Sequence, residues 1–123
     1  MYRVRHVTLG TVHALKLLEV THPELEERVL REGQLQAQLK HPNIVAVTDL
    51  VELEDGPALV LDYVDGGSLD RLLAAGPLPF DQAEPLALDL IEGVAAAHRA
   101  GVVHRDLKPA NVLLATSHAG WRR

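Results

Sequence analysis

Eight consecutive positions, His104-Arg105-Asp106-Leu107-Lys108-Pro109-Ala110-Asn111, concentrate charge and polarity directly before an aliphatic run, Val112-Leu113-Leu114. An aspartate can accept a hydroxyl proton, and a lysine can neutralise a transferring phosphate. An asparagine oxygen can hold a magnesium ion. Asp106, Lys108 and Asn111 place these three capacities on one short loop, an arrangement suited to phosphoryl transfer. Read only as a polar loop after a helix, the same residues would make turn hydrogen bonds through Asp106 and Asn111.

Such a loop needs elements to hold it. Val4 to Leu9 and Val12 to Leu18 read as a hairpin turning near Gly10. Pro23 to Leu39 reads as a helix, with Leu25, Val29, Leu35 and Leu39 recurring along it, and Thr21 or His22 before its first turn. Glu24, Glu26 and Glu27 suit the positive end of that helix. His41-Pro42-Asn43 stops it, because the residue before a proline disfavours helical geometry. Ile44 to Leu53 and Ala58 to Val64 form a second hairpin around Glu54-Asp55-Gly56-Pro57. Asp65-Gly66-Gly67 reads as a flexible joint, and Ser68 as the cap of a short helix ending at Ala75-Gly76. Asp81 with Glu84 opens a long helix that runs to about Arg99 and closes at Gly101. Pro85 falls in its first turn, where proline is tolerated. Val112 to Leu114 reads as a short strand.

Composition narrows the field. At 123 residues the chain is at most one ordinary domain. A formal net charge of -5 argues against a general nucleic-acid binder. With no cysteine there are no disulfides, thiolate metal sites or cysteine nucleophiles. No apolar run approaches the roughly 18 residues that cross a bilayer, and the first residues lack the apolar core of a signal peptide. A cytoplasmic chain with no membrane segment is the expectation. The seven histidines include no pair at helical i, i+4 spacing, which leaves a zinc site unsupported. Aromatic residues make up only 3% of the chain, so its core must be aliphatic.

The loop resembles the H-R-D-L-x-x-x-N catalytic loop of eukaryotic-type protein kinases, and Lys108 two places after Asp106 is similar to the serine/threonine branch. Val12-His13-Ala14-Leu15-Lys16 resembles the V-A-I-K strand of that family, with His13 in place of the valine. The Ala110-Asn111 pair after Lys108-Pro109 looks like bacterial members. The order hairpin, helix, hairpin, hinge, short helix, long helix, loop resembles most of a kinase small lobe and the start of the large lobe. An α+β, protein-kinase-like fold is therefore expected, with residues 2–64 as small lobe and hinge and 65–114 beginning the large lobe. Residues 115–123 match nothing in the family pattern.

The resemblance implies roles. Lys16 would contact the α/β-phosphates of ATP and pair with Glu32 on the following helix. Leu61 would be the gatekeeper, backbone groups of Asp62 and Val64 would bond the adenine edge, and Val4, Ala14 and Leu113 would enclose the ring. Asp106 would orient the substrate hydroxyl, Lys108 would steady the γ-phosphate, Asn111 would bind Mg2+, and His104 and Arg105 would brace the loop. The implied partner is a protein carrying a Ser or Thr acceptor. A G-x-G-x-x-G loop and a D-F-G are both missing from these residues, so the chain reads as a part of a kinase domain, impaired on its own. The apolar face Leu86, Leu90, Ile91 and Val94 then lacks a partner and invites association. Two alternatives stay open: a non-catalytic kinase-like interaction module, and a small-molecule phosphotransferase, against which Lys108-Pro109 counts.

Overall fold

The structure is a computed structural model that describes residues 1–18, 22–103, 107–117 and 120–122. They divide into two compact units, Met1–Tyr63 and Val64–Arg123.

In the first unit, β1 (Tyr2–Arg5) and β2 (Val12–Leu17) form the first hairpin. The first strand stops at Arg5, short of the expected Leu9, because the His6 ring diverts the chain. Its Nδ1 accepts the amides of Thr8 and Leu9 at 3.2 and 3.0 Å, and Arg5 Nη1 donates to the Gly10 carbonyl at 2.9 Å. Local side-chain bonds of this kind compete with strand pairing. Gly10 completes the turn at φ +73°.

Helix α1 (Pro23–Gln38) carries proline in its first turn, where no amide partner is lost, and Glu24 and Glu26 near its positive end. It ends where expected. The Asn43 amide bonds His41 Nδ1 at 3.0 Å, and the Ile44 amide bonds the His41 carbonyl at 3.1 Å, which closes the turn into the next strand. β3 (Val47–Leu53) and β4 (Gly56–Asp62) make the second hairpin, and the antiparallel sheet has the order β1-β2-β4-β3.

The register sorts the side chains onto two faces. Arg3 pairs with Ala14, Ala14 with Leu61, and Leu61 with Val47. Lys16 pairs with Leu59, and Leu59 with Leu50. Directly paired residues share a face, and alternate residues of a strand return to it. One face therefore carries Arg3, Ala14, Lys16, Leu59, Leu61, Val47 and Leu50. The other carries Val4, His13 and Asp62 in a single row. The core lies on the first face: Ala14, Leu59 and Leu61 are buried, with Leu18, Val45, Val47 and Leu50 packed against them. Helix α1 comes close to this face through Gly33, where a Cβ would stand 3.2 Å from Leu59 Cδ2. A helix-interior glycine, normally unfavourable by about 1 kcal/mol against alanine, is accounted for by that approach.

In the second unit Ser68 stands at the N-terminus of α2 (Leu69–Leu73) but does not cap it. Its hydroxyl bonds the Asp70 carboxylate instead. Helix α3 (Phe80–Arg99) starts earlier than the expected Asp81 cap, with Pro79 in the cap position. The Pro79 carbonyl accepts the amides of Gln82 and Ala83 at 3.0 and 2.9 Å, so Asp81 falls inside the first turn. Pro85 consequently lies inside the helix, past that turn.

Val112 to Leu114 does not form the expected strand pair. It is laced instead to the start of the unit: Leu69 N to Val112 O and Leu114 N to Gly67 O, both 2.8 Å, with a bridge between Ser68 and Leu113. The strands come later, β5 (Ala115–Ser117) paired with β6 (Gly120–Arg122). No helix among the described residues is long and apolar enough to cross a membrane.

Candidate active site

Within the first unit, the sheet brings part of the expected nucleotide-binding set together. Ala14 and Leu61 are register partners in the core, and Lys16 follows Ala14 on the same face. Lys16 extends the apolar row as its charged end. Its side chain is exposed, so the cost of burying an unpaired ammonium does not arise. Glu32 adjoins Gly33 on α1 and is exposed as well; among the described residues no ion pair joins it to Lys16.

Val4 is placed differently from the expectation. Its register partner is His13, so it lies on the face opposite Ala14 and Leu61. Val4 and Ala14 cannot enclose the same ring. The β1 residue that shares Ala14's face is Arg3. This arrangement also explains why histidine is accommodated where the family pattern has valine. His13 points away from the Ala14 face, its Nε2 is 2.8 Å from Thr11 Oγ1, and its Nδ1 has no hydrogen-bond partner among the described residues.

Asp62 closes β4 with its amide bonded to the Ala46 carbonyl at 3.0 Å. Tyr63, the last residue of the unit, lies 5.2 Å from the Arg3 guanidinium carbon, ring face to cation.

In the second unit Lys108 and Asn111 flank a single tight turn, a 3-10 helix over Pro109–Asn111. The Asn111 amide bonds the Lys108 carbonyl at 2.9 Å, and the Val112 amide bonds the Pro109 carbonyl at 3.3 Å. Proline's fixed φ sets the start of that turn, which places Lys108 and Asn111 at its two ends. Leu113 is half-buried, and its neighbour Leu114 is fully buried at 1% exposure. Val64, half-buried, opens the unit. Asp106, with His104 and Arg105, lies outside the described residues.

Gly66 was read from the sequence as part of a flexible joint. A Cβ there would sit 1.9 Å from the Leu114 carbonyl oxygen, so this position holds two backbones in close approach. Beside it, Asp65, Gly67, Ser68, Arg71 and Leu72 complete the lining of a concavity of about 450 Å3. The exposed large hydrophobic residues of α3 are Phe80, Leu88 and Ile91, and only Ile91 belongs to the face expected to be uncovered. Leu86, Leu90 and Val94 are half-buried.

A four-stranded antiparallel sheet with one helix packed on it, followed in the chain by a helical segment, defines a protein-kinase-like fold. Comparison with known proteins agrees. The protein kinase domain profile matches residues 1–120, running past Leu114. The chain is 40% identical over 126 residues to serine/threonine-protein kinase pkn2 of Myxococcus xanthus, covering 98% of this chain and 15% of that protein. It is 45% identical over 109 residues to PkaA of Streptomyces coelicolor, covering 85% of this chain and 20% of that one. The Mycobacterium tuberculosis PknI kinase domain superposes with a TM-score of 0.82 at 31% identity, over 98% of this chain and 50% of that chain. Rad53 in complex with AMP-PNP superposes with a TM-score of 0.84 at 27% identity, over 95% of this chain and 31% of that one. The chain belongs to the serine/threonine protein kinase family, a family of transferases. It spans a fifth or less of the length of these two relatives and half of the PknI domain.

Proposed function

We propose that this chain supplies the nucleotide-binding and phosphoryl-transfer residues of an ATP-dependent protein serine/threonine kinase. One observation carries the reading: the same sequence holds the His104–Asn111 loop and a lysine, Lys16, set on the core face of the sheet beside Ala14 and Leu61. In this reading Ala14 and Leu61 offer apolar surface to the adenine. The Asp62 amide is committed to Ala46, so its carbonyl is the group assigned to the adenine edge. Lys16 binds the α/β-phosphates, and Glu32 orients it once nucleotide is present.

Asp106 accepts the proton of the attacking Ser or Thr hydroxyl. The bond between the γ-phosphorus and its bridging oxygen breaks, ADP leaves, and Lys108 offsets the charge on the moving phosphoryl group. Magnesium binds through few protein oxygens and keeps water and phosphate oxygens. The amide oxygen of Asn111 fits such a set, and among the described residues no cluster of three His, Cys, Asp or Glu offers a fuller cage. When bound, the ion neutralises nucleotide charge.

Calorimetric titration tests this directly. The 123-residue chain is expected to bind Mg-ATP, and Lys16→Met to weaken that binding by roughly tenfold, the scale of one charge-assisted contact. Asn111→Ala is expected to weaken the magnesium-dependent part alone. A radiometric assay of the same chain is expected to give turnover near background, because no G-x-G-x-x-G covers the phosphates and no D-F-G aspartate is present in these residues. Robust turnover overturns that expectation. Among the described residues no ion pair joins Lys16 to Glu32, which favours a second reading, a non-catalytic interaction module. No saturable nucleotide binding would decide for it.

A further inference from the structure

Strand β1 is an edge strand whose partner in the sheet is β2. A second tie reaches it from across the sheet. Arg3 shares the face of its register partner Ala14, and Ala14 that of Leu61, so Arg3 belongs to the row expected to receive the adenine. Its guanidinium carbon stands over the Tyr63 ring at 5.2 Å, within the range of a cation–π contact. To reach that ring the side chain must pass over β2, where the residue in its row is alanine. Tyr63 follows Asp62 directly and ends the first unit. The sidechain stack therefore bears on the backbone between the last sheet residue and the point where the chain leaves the sheet.

We propose that Arg3 is a positioning residue for adenine binding: by stacking on Tyr63 it ties edge strand β1 to the end of β4 and fixes the Asp62–Tyr63 backbone that meets the base. The inference rests on the proposed nucleotide-binding role. It assigns the work to the stack and not to charge on the phosphates, and this yields distinct outcomes. Arg3→Ala weakens binding by about two- to fivefold, the range an exposed cation–π contact supports. The loss is equal for adenosine, ADP and ATP, since the backbone touched is the same in each case.

The experiment measures affinities of the 123-residue chain for adenosine, Mg-ADP and Mg-ATP in Arg3→Ala, Tyr63→Leu, Tyr63→Phe and the Arg3→Ala/Tyr63→Leu pair. Tyr63→Phe keeps a ring face and is expected to lose less affinity than Tyr63→Leu. Tyr63→Leu is expected to match Arg3→Ala, with no further loss in the pair. Amide exchange of Tyr63 without nucleotide gives an independent readout, expected to quicken in Arg3→Ala. A loss that grows with phosphate number, additive losses in the pair, or unchanged Tyr63 exchange overturns the inference. If the unmodified chain binds none of the three ligands, the nucleotide-binding reading fails with it, whereas binding without the Arg3 effect removes the stack alone.

Discussion

Gly66→Ala is expected to be the most damaging small substitution in the second unit. The new methyl carbon would lie 1.9 Å from the Leu114 carbonyl oxygen and 2.8 Å from its carbonyl carbon. Both are backbone atoms, so no rotamer change relieves the contact, and one segment must move away by an ångström or more. Overpacking of this kind costs on the order of 1–3 kcal/mol and sometimes more. Here it also pulls apart the backbone lacing that joins residues 67–69 to 112–114, each hydrogen bond of which contributes roughly 1 kcal/mol. Leu114, at 1% exposure, loses its packing in the same movement.

The expected results are faster amide exchange at Leu69 and Leu114 and a lower unfolding midpoint. Gly67→Ala is the control. Its φ of +79° strains an alanine, but nothing lies within 4 Å of the added carbon. The cost there is about 1–2 kcal/mol, without loss of protection at Leu69. Equal stability of Gly66→Ala and the unmodified chain would remove the close approach from the structure.

The contrast between these two glycines shows what the sequence could disclose. Asp65-Gly66-Gly67 announces a turn from composition alone, and the left-handed Gly67 fits that reading. The need for Gly66 is set by a carbonyl far along the chain, which no local pattern reports. The protein kinase family was legible because the motif that marks it lies in consecutive residues, His104 to Asn111. The helices and hairpins were legible because apolar spacing and turn residues mark them. What no local pattern carried was register. Taking β1 as extended to Leu9 concealed the His6 turn, and a one-residue difference in pairing moves a strand's whole set of side chains to the other face. Val4 was assigned to the adenine ring by the family resemblance alone, whereas the Ala14 face holds Arg3, and the Arg3–Tyr63 stack went unseen. Glycine in the middle of α1 did carry a signal, since only a close approach accounts for it. Leu59 as its partner required the sheet.

That partnership makes Leu59 the residue of the first unit whose truncation is expected to cost most. Leu59 is 6% exposed, lies opposite Lys16 on β2 and Leu50 on β3, and meets Gly33 of α1. Leu59→Ala removes the side chain that joins helix to sheet, and buried Leu→Ala changes cost about 2–5 kcal/mol, depending on how far the site collapses. Against a total stability of roughly 5–15 kcal/mol for a domain, and with few fully buried side chains among the described residues, loss of cooperative unfolding is within reach. Denaturant unfolding followed by circular dichroism is expected to show a reduced midpoint. A second substitution sharpens the claim. In the native background a Cβ at Gly33 crowds Leu59 Cδ2 at 3.2 Å, offsetting the helical gain of alanine. With Leu59→Ala the crowding is gone, and Gly33→Ala is expected to recover about 1 kcal/mol, the intrinsic helix preference of alanine over glycine. If Gly33→Ala instead stabilises both backgrounds equally, α1 does not rest on Leu59 and the placement of Glu32 must be derived from another contact.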